Sequence, residues 1–177
     1  MNSLIYKIFY GLPLHKIIEM MILLVGVWWI LAWFSKRTPL WVNIWKIANS
    51  LLFIGMMIVI FVLTIISRNE GTELILIPFY SFVEAQTQPE LYRSMLMNVF
   101  LFFPLGLTLP YALPGKWKHQ VLFTILFAFI FSVAIEWLQY HFSLGRAEVD
   151  DVLCNTLGCA IGTLSFRKDD KTVNETL

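Results

Sequence analysis

Between Ser132 and Gly162 the chain reads SVAIEWLQYHFSLGRAEVDDVLCNTLGCAIG, and most of its chemically capable side chains lie there. Glu136, Glu148, Asp150 and Asp151 are acceptors when ionised and general acids or bases when burial shifts them. Arg146 carries a planar fork of donors suited to carboxylates and phosphates. Ser132, Gln139 and Asn155 add neutral donors and acceptors. On a helix, Ser132, Glu136 and Gln139 share one face, because residues three and four apart are stacked neighbours, and Ala128 extends that stripe as a smooth strip. Asp151, Asn155, Gly158 and Gly162 repeat the spacing in the next segment. Small residues so spaced let two membrane helices approach closely, so the two stripes are expected to face each other.

Glu136 is the most informative position. An ionisable residue inside a membrane span costs ~2.5–3.5 kcal/mol near the centre and is normally turned inward and paired. Arg146, in a short loop with a long stem, is its expected partner; the pair then serves either as an internal tie or as part of a polar pocket. Asp150 and Asp151 stand directly before a helical segment, where one caps free amides and both suit the helix dipole. With Glu148 and Arg146 beside them they exceed what a cap requires. Glu136 and Asp151 are the candidates for acid–base chemistry. No serine–histidine or cysteine–histidine arrangement is apparent. His141 lies five residues from Glu136, a poor spacing for sharing a face, and no metal or cofactor is expected. Cys154 and Cys159 are five apart in an apolar segment, poorly placed for a disulfide and suited to packing.

The elements that must position these groups are membrane spans. Of 177 residues, 58% are hydrophobic and only 14% charged, against about a quarter charged in soluble domains. No basic cluster exceeds two adjacent residues, which excludes nucleic acid as a partner. The sequence predicts an all-α, polytopic bundle of about five spans: 17–34, 47–66, 94–113, 121–140 and a short one at 152–166. Residues 1–14 are amphipathic at best, and no cleavable signal is visible. The apolar segment 74–83 is too short to span and holds Pro78, so it is expected to be interfacial or re-entrant. Pro104 marks a kink in the third span, freeing the carbonyl of Phe100, while Pro110 and Pro114 close that span. The fifth span is short enough that its start is expected to sit below the interface, drawing the 146–151 loop inward.

Lys36, Arg37, Lys46, Lys116, Lys118, Arg167, Lys168 and Lys171 share one side of such a bundle; Lys7, Lys16, Arg68, Arg93 and Arg146 share the other. The positive-inside bias then places the N-terminus outside and the C-terminus in the cytoplasm. Whatever the orientation, parity puts Asn98, Glu136, Gln139 and Asn155 at one depth in one leaflet, with segment 74–83 on the same side as a possible lid.

Four stretches in order, LIPF (76–79), NVFLFFPLG (98–106), SVAIEWLQ (132–139) and GRAEVDDVLCNTLGCAIG (145–162), closely resemble the VanZ-like membrane protein family. The resemblance covers roughly residues 74–164 of a single domain spanning 1–177 with a polar tail at 167–177. It carries over Asn98, Pro104, Gly106, Ser132, Glu136, Gln139, Arg146, Asp150, Asp151, Asn155 and Gly158; family members vary in the arginine-to-aspartate loop, where Glu148 stands here. It implies a multi-pass protein of a bacterial plasma membrane associated with resistance to teicoplanin-type glycopeptides. Three functions follow. The leading one is a non-catalytic pocket in the outer leaflet, formed by Asn98, Ser132, Glu136, Gln139, Arg146, Glu148, Asp150, Asp151 and Asn155. It would engage a membrane lipid, a lipid-linked cell-wall precursor or the lipid tail of a glycopeptide antibiotic. The second is an intramembrane enzyme on a lipid-linked substrate with Glu136 or Asp151 as acid or base. The third is a docking partner for another membrane protein through Gly158 and Gly162. Oligomeric state is left open.

Overall fold

A threonine followed by a proline opens the second helix for a local reason. Thr38 is extended and its hydroxyl accepts the Trp41 N–H at 3.4 Å, while Pro39 supplies the fixed φ and missing donor suited to a first turn. The computed structural model describes residues 14–35, 38–66 and 71–165. Expectations for residues 1–13 and for the tail at 167–177 lie outside them. The described helices are α1 (Leu14–Ser35), α2 (Pro39–Phe61), α3 (Tyr80–Glu84), α4 (Glu90–Ala112), α5 (Trp117–His141) and α6 (Val149–Leu164); the strands are β1 (Gly71–Ile75) and β2 (Leu144–Glu148). The fold is mostly α, as predicted. At its end α2 widens into a π-helical turn, Val62–Ile66.

Three helices are long and apolar enough to cross a membrane: Leu40–Ile65, Glu90–Ala112 and Trp117–His141. The apolar part of α1, Ile18–Phe34, is shorter, and the 16 residues of α6 rise only about 24 Å against a hydrocarbon core of about 30 Å. Burial identifies the central helix: 61% of α4's apolar window is buried, against 17% for α2 and 28% for α5. α1 is held by an aromatic cluster in which Trp28 meets Trp45 at 4.7 Å and Tyr111 at 6.1 Å between ring centroids. Its neighbours Trp29 and Trp33 face outward.

α4 and α6 run parallel with their backbones nearly touching. A Cβ on Gly158 would lie 2.1 Å from the Val99 carbonyl oxygen, one on Gly162 2.2 Å from that of Phe103, and one on Gly106 2.0 Å from that of Cys159. The glycines of α6 therefore mate with α4 rather than with the Ala128–Gln139 stripe of α5, which corrects the expected pairing. From the α6 stripe, Asn155 reaches α5 at Ser132. α4 continues through Pro110 to Ala112, at the expected end of this span. The proline has no N–H for the carbonyl of Gly106, four residues back, and the Thr163 hydroxyl donates to that oxygen at 3.1 Å.

The sequence reading contained no strand. β1 and β2 form a parallel pair with Gly71 opposite Leu144, Glu73 opposite Arg146 and Ile75 opposite Glu148. Neither GTELI nor LGRAE shows apolar alternation, so only long-range pairing reveals them. β2 doubles back along α5: the Glu148 N–H donates to Glu136 Oε2 at 3.0 Å, although Glu136 lies five residues before the helix end. α6 thus begins about 8 Å below the end of α5. β1 descends beside β2, and Pro78 lies in the turn that leads to α3. Segment 74–83 is therefore a strand, a turn and a short helix dipping in from one end of the bundle.

Candidate functional site

The dipping segment and the start of α6 are stitched together by carboxylates. Phe79 has a left-handed backbone, φ 63°, and begins α3 with no side-chain cap of its own. Asp150 serves instead: Oδ1 accepts the Phe79 N–H at 2.6 Å and Oδ2 the Ser81 N–H at 2.8 Å. This corrects the expectation that one of Asp150 and Asp151 caps the helix they precede: both lie in the first turn of α6, whose cap position is Glu148, with no side-chain cap hydrogen bond. The Ser81 hydroxyl donates to Glu148. With Asp150 only 1% exposed, both main-chain donors of the turn are satisfied inside protein, as a non-helical segment beside a membrane requires.

Arg146 is held by three glutamates. Nη2 meets Glu84 at 2.6 Å, Nε meets Glu148 at 2.8 Å, and Nε lies 3.5 Å from Glu73, its partner across the strand pair. Its guanidinium also sits 5.7 Å from the Tyr80 ring centre. Burial works against its charge, but the hydrogen bond to Glu84 and the charges of Glu148, Glu84 and Glu73 outweigh it, so protonation is favoured beyond that of an ordinary arginine. Glu136, the expected partner of Arg146, accepts a main-chain N–H of β2, and Glu73 and Glu84, which flank segment 74–83, hold the arginine together with Glu148. Glu73, Glu84, Ser81 and Tyr80 were missed as site residues. The only signal for them was the pair of glutamates bracketing that segment.

Deeper in, Asn155 Nδ2 donates to Ser132 Oγ at 2.8 Å, joining α6 to α5. Gln139 Nε2 donates to the Thr64 carbonyl at 2.9 Å, tying α5 to the π-turn that ends α2. Thr64 had not been singled out; the π-turn that offers its carbonyl leaves no trace in composition. Asn98, on α4, is partly buried, and its Nδ2 has no hydrogen-bond partner among the described residues. Ser132, Glu136, Gln139, Asp150, Asp151 and Asn155 are all buried. Cys154 and Cys159 are free and buried, in keeping with packing.

Two of the groups that parity placed together, Glu136 and Asn155, lie where α5 meets the start of α6. α5 runs antiparallel to α4 and α6, and Ser132–Asn155 and Glu136–Glu148 join it to the N-terminal end of α6. His141 stacks on Trp137 at 5.2 Å. Among the described residues, no group of three or more histidine, cysteine or acidic side chains is placed to hold a metal ion.

These features define a polytopic helical membrane protein whose buried carboxylates and carboxamides gather at one end of its core. The chain belongs to the VanZ/LLP1 family, whose profile matches residues 21–168. Over 86 residues it is 30% identical to Protein VanZ of Enterococcus faecium, a match covering 48% of this chain and 50% of that protein. The chain thus spans about half the length of that curated relative. No solved structure matches.

Proposed function

We propose that this protein binds an amphiphile in the outer leaflet, head group at the carboxylate-lined end and acyl chain along segment 74–83, and thereby lowers susceptibility to teicoplanin-type glycopeptides. One observation carries the reading: buried ionisable and amide side chains from α5 and α6, with the half-buried Arg146 and Glu148 of β2, lie beside an apolar lip. In that lip Leu76 is 68% exposed, Ile77 64%, Phe79 61% and Val83 64%. Isolated polar ties between helices need no such lip, and a lipid-facing surface needs no buried acids. A lipid, a lipid-linked cell-wall precursor and the lipid tail of the antibiotic are the candidate occupants. The orientation that serves them places the N-terminus outside and the C-terminus in the cytoplasm. The docking reading loses its support, because Gly158 and Gly162 are already closed against α4.

The test is antibiotic susceptibility in a strain expressing the chain. Glu136→Gln keeps an acceptor for the Glu148 N–H while removing the charge; Arg146→Ala releases three glutamates. Both are expected to return the strain to the susceptibility of one lacking the protein, at unchanged membrane abundance. Unaltered protection in both variants would sink the proposal.

A further inference from the structure

Residues 71–84 lie on the bundle without a packed underside. Within that segment only Ser81 is buried, while Leu76, Ile77, Phe79, Phe82 and Val83 are all exposed. Among the described residues, the hydrogen bonds and ion pairs that tie it down go to one stretch, residues 143–150. β1 pairs with β2, and the Gly71 N–H donates to the Ser143 carbonyl at 2.9 Å. Arg146 reaches Glu73 and Glu84, Glu148 accepts from Ser81, and Asp150 takes two main-chain N–H groups. Firm apolar footing comes just past the segment, where buried Ala85 packs with Met95 and Cys154.

Lifting such a segment breaks polar ties and little apolar packing. Its apolar side chains are exposed before and after, so the hydrophobic term that usually opposes local opening is nearly absent. Phe79 tilts the balance further. A bulky residue at φ 63° is strained, and such strain persists only where neighbours impose it; here Asp150 holds the Phe79 N–H. With the segment down, Asp150 is 1% exposed and the Glu148 side chain 11%, so a head group reaches them only when the segment moves.

We infer that residues 71–84 are a gate: they lift from β2 and Asp150 as one unit, pivoting at Ala85, and admit the amphiphile's head group to the polar end of the core. The inference rests on the proposed amphiphile site and adds how that site is entered. Elements that open around ligands are drawn from the least stable parts of a fold and turn on a few residues at an element's end, as here.

A disulfide across the strand pair tests it, in the double variant Gly71→Cys, Leu144→Cys. Paired strands lie about 4.8 Å apart, within a disulfide's reach, and a Cβ on Gly71 meets nothing closer than 3.4 Å. The bond closes the segment at the end farthest from Ala85 and replaces no residue of the proposed site. Amide exchange of the full chain in maltoside micelles is expected to slow at Phe79 and Ser81 by at least about tenfold on oxidation, and to match the parent after reduction. Slowing confined to β1 would overturn the gate, as would Phe79 and Ser81 amides that in the parent are as protected as those of α4. In an expressing strain, the oxidised variant is expected to lose teicoplanin resistance and regain it with the reductant TCEP, while each single-cysteine variant keeps it. Full resistance in a chain whose disulfide is verified by mass overturns the gate and leaves the amphiphile site standing. Unaltered resistance in Glu136→Gln and Arg146→Ala, the test of the site itself, removes both. Should the cysteine substitutions alone cost resistance, the exchange comparison decides.

Discussion

Asp150 shows how much one side chain can decide. It is 1% exposed and spends both oxygens on main-chain donors at the start of α3, at Phe79 and Ser81. Hydrogen bonds to a charged group contribute about 1.5–3 kcal/mol each, and losing the acceptor strands the donors. Asp150→Ala is therefore expected to destabilise the protein by about 3 kcal/mol, and Asp150→Asn, which keeps one acceptor, by about half as much. Hydrogen exchange across residues 79–84 reads the effect directly: protection there should fall before that of α4. Retained protection in Asp150→Ala would show that the turn is held by something else. Glu84→Gln offers a milder contrast. It weakens one of three contacts to Arg146, whose side chain keeps Glu148 and Glu73, so the expected loss is about 1 kcal/mol for a partly exposed pair.

Among the elements, the α4–α6 contact tolerates least. Gly158→Ala places a methyl 2.1 Å from the Val99 oxygen, a main-chain atom that cannot rotate away, and Gly106→Ala meets the Cys159 oxygen at 2.0 Å. Each is expected to cost about 3 kcal/mol or more, because the helices must separate. Gly55 in α2 has nothing within 4 Å of its added Cβ, so Gly55→Ala should be neutral or stabilise by up to about 1 kcal/mol. Thermal melting of the three purified variants checks the contrast, and equal melting would refute the close approach. Thr163→Val removes the hydroxyl that serves the Gly106 carbonyl, at an expected cost of about 0.6–1 kcal/mol. In a Pro110→Ala background that carbonyl regains a helical N–H, so the same change should cost less. A double-mutant cycle with no coupling would show that the threonine's other bond, to Cys159 O at 2.9 Å, is the one that counts.

For the whole molecule, the proposed orientation puts β1 outside and the α4–α5 turn inside. Cys154 and Cys159 are buried, 5% and 0% exposed, so the parent chain should resist a membrane-impermeant maleimide. Thr72→Cys should label from outside intact cells and Gly115→Cys only after lysis; the reverse pattern would invert the topology. The long helices and the shared end of Glu136 and Asn155 were legible in the sequence. Span length and parity depend only on hydropathy and chain order. The parallel strands were not, because GTELI and LGRAE carry no period-two pattern and their pairing joins residues about seventy positions apart. Nor were the partners of Arg146 and Asp150, since any of several acids and amides at the same depth satisfies a long side chain; packing alone chooses among them. The same separation has a consequence for biosynthesis. Donors at Phe79 and Ser81 wait for an acceptor 71 and 69 residues later in the chain, and Glu84 waits 62 for its arginine. A ribosome that has released α5 has therefore delivered a segment whose stabilising counterparts are still unmade. Nascent chains stopped at His141 should leave residues 71–84 open to protease, and release of the final helix should close them.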